Sequence, residues 1–291
     1  MAKGPPTVAV RSAPARARHR HPLLIVNADD LGVSPGVSLG IAAAYDHGTV
    51  TSASLMVNTP GLDAAVSVAR ARPRLSVGLH VNLTYGRPLS LPAEVPTLIG
   101  EDGRFPPRPD WAAGEVQAEL ARQFEAYRRT GLPLTHLDAH HFIDDTSEVV
   151  FAWLADLARR VGVPLRTRRR RDALRAAGVR TTDHLVSDVY SGGDGLQRLT
   201  AHLADLGSGV TELICHPGHA DEVLRTISPW VEERERELRV FTDRAPRRAI
   251  AAAGLQLVSF QDVRLPPHSL HSTLLRDRVA RRHDQGSFGR A

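Results

Sequence analysis

Leu23-Leu-Ile-Val-Asn-Ala-Asp-Asp30, followed by Leu31-Gly-Val-Ser34-Pro35-Gly36, is the stretch that decides the fold. Its short apolar run reads as a buried strand that ends on two carboxylates. Ser34-Pro35 then opens a helix, with Ser as the cap and Pro at the first helical position, and Gly48 closes it. Strand, polar strand end, helix: the same unit recurs along the chain. Further apolar runs lie at 51–57, 76–83, 134–138, 164–167, 211–215 and 255–260. Helical patterns fall between them near 36–47, 61–71, 112–130, 146–161, 194–206 and 229–252, the last opened by Ser228-Pro229 and followed by Gly254. Repeated strand–helix units imply a parallel sheet. About seven of them predict an α/β fold, a distorted (β/α) barrel, within one domain over 21–267. No Gly-rich phosphate loop follows any strand, which removes support for an open nucleotide-binding sheet.

Composition narrows the class. The chain has 291 residues, 42% hydrophobic and 24% charged, as expected of a globular protein with a sizeable core. No run approaches the roughly 18 apolar residues of a membrane span. Net charge is +5, yet residues 1–20 carry five basic and no acidic residues, and 271–291 carry five Arg and two Asp. The body, 21–270, is therefore −3. Lys3 is the only lysine, and so exclusive a use of Arg reads as coding bias rather than phosphate recognition. Residues 1–20 and 268–291 are expected to be basic tails, the first disordered, and no nucleic-acid partner is expected. Cys215 stands alone, which excludes an intramolecular disulfide. The N-terminus lacks the apolar core of a secretory signal, so a cytoplasmic enzyme is the expectation. A homodimer is the commonest assembly, although the sequence does not specify one.

Polar residues able to hold a metal sit at four strand ends. Asp29 and Asp30 are adjacent, and a cation would relieve their repulsion; a turn or helix cap would use the same pair. In Ser76–Thr84, His80 and Asn82 alternate with Val77, Leu79, Val81 and Leu83, which turns them toward the barrel interior. In Thr135–His141, His136, Asp138 and His140 share one face. In Glu212–His219, Cys215 and His216 point to opposite faces, so they cannot form a nucleophilic dyad; Cys215 reads as core and His216 as a site residue. Carboxylate and imidazole ligands with open positions form a catalytic metal set. Arg166 with Arg168–Arg171 reads as a solvated or helix-flanking charge run. Trp153 and Trp230 read as core, whereas Trp111, beside the Pro-rich loop 88–110, is the candidate for stacking on a sugar.

The segments Leu24–Gly36, Val50–Asn58, Gly78–Thr84, Thr135–His140 and Cys215–Gly218, in order, resemble the YdjC-like carbohydrate deacetylases, the ChbG/HpnK group of the glycoside hydrolase/deacetylase barrel superfamily. The resemblance implies a distorted barrel that removes acetyl from an N-acetylated amino sugar with a divalent metal ion. It further implies Asp30, His80 and His140 as metal ligands, Asp29 as general base and His216 as general acid. Imidazole ligands favour Zn2+ on ligand chemistry, whereas the family is commonly described with Mg2+. Asn82, Asp138, His141 and Trp111 are the expected substrate contacts. One departure stands out: Phe142 and Asp144 occupy positions where the family usually continues with His. That places the sugar-contacting rim, and hence the particular sugar, in question. A glycolipid or natural-product sugar is one alternative, and a carbohydrate-binding barrel without turnover is another.

Overall fold

The computed structural model describes residues 22–106 and 110–262; both expected tails lie outside them. The elements are β1 (Leu23–Leu31), α1 (Pro35–His47), β2 (Ser52–Leu55), α2 (Leu62–Arg70), β3 (Ser76–Val81), α3 (Ala113–Arg129), β4 (Leu137–Ala139), α4 (Ile143–Thr146), α5 (Glu148–Val161), α6 (Arg171–Ala176), β5 (His184–Val186), α7 (Gly195–Ala204), β6 (Val210–Cys215), α8 (Glu222–Ile227), α9 (Glu232–Thr242), α10 (Arg244–Ala252) and β7 (Gln256–Leu257). The strands form one parallel sheet in the order β4-β3-β2-β1-β6-β5, with β7 on β1. It curls into a half-barrel clad by helices. The first unit forms as its sequence dictates: Ser34 accepts the Val37 N–H at 3.1 Å and caps α1.

Two expectations need correction. The run 164–167 makes a single bridge, Leu165 to Leu137, instead of a strand. Pro164 has no N–H to offer a ladder, and Arg166 is drawn inward by its charge. The strand β5 beyond it is only three residues long and carries no clear apolar signal. The helical pattern at 229–252 is two helices, because Asp243 is extended and caps α10 by accepting the Ala245 N–H at 2.7 Å.

Alternation sorts the side chains of the sheet. On β1, Leu24, Val26 and Ala28 pack under the helices, while Leu23 and Ile25 join Val210, Val258 and Phe260 in a separate apolar floor inside the curl. Above that floor the inner face turns polar, with Asn27, Ser54, His136 and Glu212 all buried. The His136 ring stacks on Phe260 at 4.0 Å between centroids. Gly78 makes room for it: a Cβ there would meet the His136 ring at 2.5 Å. Gly78→Ala is expected to displace that ring and destabilise the fold by about 1–3 kcal/mol, read as a lower urea midpoint. An unchanged midpoint would remove His136 from the floor of the site.

Candidate active site

Adjacent strand residues normally face opposite ways, so Asp29 and Asp30 should be split between interior and helix layer. A bulge prevents this. Ala28 pairs with Ala53 and Leu31 with Leu55, leaving Asp29 and Asp30 opposite Ser54 alone. Asp30 takes a left-handed conformation, φ +69°. Both carboxylates thereby reach the inner rim.

Around them the expected ligands meet. Asp30 Oδ1 lies 3.1 Å from His140 Nδ1 and 3.5 Å from His80 Nε2. His140 reaches this point from a 3-10 turn, His140–Phe142, and not from the strand face expected for it, because β4 ends at Ala139. Asp30, His80 and His140 are all buried and could hold a metal ion. Among the described residues, Asp30 Oδ1 and His140 Nε2 are buried without a hydrogen-bond partner, the state expected of donor atoms shaped for a cation. His80 Nδ1 pairs with Asp138 Oδ1 at 2.8 Å, which fixes the ring and leaves Nε2 toward Asp30. Burial opposes a charge on His80, but Asp138 and Asp29 outweigh it and raise its pKa to about 10. Burial likewise disfavours an ionised Asp30, and the Arg234 guanidinium, at 2.6 Å from Oδ2, overrides it and holds the carboxyl well below its ordinary range.

The centre of the site was misjudged from sequence. Arg166 is not part of a solvated run; it is 3% exposed and lies among three carboxylates. Its guanidinium donates to both oxygens of Asp29, at 2.7 and 2.8 Å, to Glu212 at 2.7 Å, and lies 3.0 Å from Asp138. Asn27 Nδ2 also donates to Asp29 Oδ1 at 2.8 Å. A strand-end position was the one available signal for Arg166, and the four arginines that follow obscured it. Arg168 and Arg170 do pair at the surface, with Asp145 and Glu148.

The expected substrate contacts divide. His141 is exposed at the rim, stacked on His140 at 3.8 Å and bound to Thr84 Oγ1 at 3.0 Å. Asp138 is fully buried under His80, and Asn82 is fully buried with both side-chain ends used on Asn58, Thr84 and Tyr85, so neither is placed to touch a sugar. Trp111 is half-buried against the core. Trp230, expected in the core, is 38% exposed and sits edge-on to His216 at 5.9 Å. His216 follows Cys215, the register partner of Ala28, at the same end of the sheet as the Asp29–Asp30 bulge.

The YdjC-like protein family matches residues 23–252, and the chain belongs to that family. It is 38% identical over 245 residues to a carbohydrate deacetylase of Geobacillus stearothermophilus, covering 82% of this chain and 96% of that one. A carbohydrate deacetylase of Listeria monocytogenes serotype 4a is 33% identical over 252 residues, covering 82% and 99%. A crystal structure from Enterococcus faecalis, provisionally named for cellobiose-phosphate cleavage, superposes with a TM-score of 0.74 at 28% identity over 83% of this chain and 98% of that one. Among the described residues, no helix is long and apolar enough to cross a membrane.

Two predictions follow from the buried charges. Arg166→Met leaves three carboxylates without their cation and is expected to lower stability by about 3–5 kcal/mol, measured by denaturant unfolding; a loss below 1 kcal/mol would show that the cluster does not depend on it. Asp144 is buried, and burial, reinforced by Asp145, raises its pKa to about 6. The folded state therefore holds this proton more tightly than the unfolded chain, whose carboxyl titrates near about 4. Stability from this group is complete below about pH 4 and falls as pH rises through about 6. Asp144→Asn should be more stable at neutral pH by on the order of 2 kcal/mol, with the difference vanishing below about pH 4. Parallel stability curves for the two proteins would contradict this.

Proposed function

We propose that this chain hydrolyses the N-acetyl group of an acetamido sugar, with a divalent metal ion held by Asp30, His80 and His140. The observation that carries the reading is the pair Asp29–Asp30. The bulge turns both to one rim, one toward two imidazoles and the other bound to a guanidinium. The carbohydrate deacetylases among the relatives supply the reaction class. A cation at the Asp30 group would polarise the acetyl carbonyl and acidify a water.

The protein's own groups supply the rest. Arg166 and Asn27 fix both oxygens of Asp29, which takes the proton of the attacking water as general base. The Asp29 Oδ2 lies 3.9 Å from His80 Nε2, so base and ligand share one side of the rim. His216 donates a proton to the sugar amine as it departs, leaving acetate and a free amino sugar. His141 and Trp230 flank the opening and offer ring faces to the sugar. Trp111 is better suited to packing than to stacking. The donor set, two imidazoles and one carboxylate, suits Zn2+ more closely than Mg2+.

Acetate release from N-acetylglucosamine oligomers tests the reading. Wild-type protein should release acetate, and a chelator should abolish release until metal is restored. Asp29→Asn should lower kcat by about 10²–10⁴-fold while metal content, measured by elemental analysis, stays the same. Undiminished turnover in that variant, or turnover indifferent to chelator, would refute the assignment.

A further inference from the structure

Helix α9 carries the charge-dense sequence Glu232-Glu-Arg-Glu-Arg-Glu-Leu-Arg239. Two of its charged residues are buried three positions apart, Arg234 and Glu237. Arg234 reaches Asp30, as described above. Glu237 is 1% exposed and binds the other end of the site. Its Oε2 accepts the His216 backbone N–H at 2.6 Å, and its Oε1 accepts the Tyr190 N–H at 2.7 Å. The same helix holds the turn after His216. The Arg234 carbonyl accepts the Gly218 N–H at 3.1 Å, and Glu235 accepts the Ala220 N–H at 3.2 Å. Gly218 is pressed against α1 and α9, where a Cβ would lie 3.1 Å from Val37 Cγ2 and 3.2 Å from Arg234 Cβ. The backbone that carries His216 is thus clamped.

The ring itself has fewer contacts. His216 Nδ1 is buried and has no hydrogen-bond partner among the described residues. The charged group facing it is Glu237, with Oε2 at 3.8 Å, too long for a hydrogen bond but within reach of a charge. Catalytic contacts of this kind shorten when substrate binds. Trp230 bounds the ring edge-on. The side chain as a whole is 23% exposed, so its other end meets the opening.

We propose that Glu237 is the positioning residue of His216. Its carboxylate holds the proton of Nδ1, so Nε2 is the nitrogen that gives a proton to the leaving amine. The ring left behind is the neutral Nδ1–H form, the tautomer that keeps a donor toward Glu237. This inference rests on the reading of His216 as proton donor. One helix then fixes both ends of the reaction, the ligand carboxylate through Arg234 and the acid through Glu237.

The test uses the full chain labelled with 15N-histidine. In its neutral form, His216, assigned by the signal lost in His216→Asn, should show the Nδ1–H tautomer. In Glu237→Gln the Nε2–H form should gain population. That variant should also lose turnover on N-acetylglucosamine oligomers about tenfold or more, while hydrolysis of p-nitrophenyl acetate, whose leaving group needs no proton, changes by less than about twofold. Glu237→Asp should restore part of the loss. An Nε2–H ring in the wild-type protein, or equal losses on both substrates, would overturn the proposal. The wild-type spectrum decides the tautomer even if Glu237→Gln fails to fold. It is also independent of turnover, so absence of acetate release would refute the proposed function while leaving the Glu237–His216 pairing separately tested.

Discussion

One buried guanidinium organises this barrel. Arg166 sits where the end of β1, the end of β4 and the middle of β6 converge, and it is bound by a carboxylate from each: Asp29, Asp138 and Glu212. Three such groups could not be buried together without it, because each would resist ionisation in the others' field. With it, Asp138 is held ionised far below its ordinary range despite burial, and can anchor His80. Glu212, farther into the interior, pays more for burial than the guanidinium returns, and its pKa rises to about 7. The interior is therefore layered: an apolar floor, an ionic middle, and a rim whose groups are oriented by the middle.

The rim is also where the backbone is strained. Among the described residues, the non-glycine positions with positive φ are Asp30, His141 and Phe142. Such conformations persist only where surrounding contacts over-determine them. Asp30 is held by Arg234 and the imidazoles. His141 is stacked on His140, and Phe142 lies under the Arg168 guanidinium at 4.4 Å. Strain at these three positions aims a carboxylate and an imidazole at one point. Phe142 closes this turn and Asp144 follows it, buried, while Asp30, His80 and His140 stay grouped beside them.

Parts of this arrangement were legible in the sequence because they obey local periodicity. Alternation in Ser76–Val81 correctly turns His80 inward, and the Ser34-Pro35 start places α1 to the residue. Arg166, Arg234 and Glu237 were not legible, for one reason. Each lies in a run of charges whose local pattern matches a solvated face, and only a partner distant in sequence makes burial favourable: Asp29 is 137 residues from Arg166, and Asp30 is 204 from Arg234. Trp230 failed in the opposite sense, since a helical register for 229–252 places it in the core, whereas α9 begins only at Glu232.

The sequence by itself determined the class of fold, the strand ends that carry polar groups, and the residue types available there. It could not place the two adjacent aspartates on one side of the sheet, because strict alternation sends one of them away. The tertiary structure decided that, by inserting a bulge opposite Ser54 and turning Asp30 left-handed. The physical reason is that a bulge is settled by pairing between strands, and the charges that repay its strain come from Arg166 and Arg234, far along the chain.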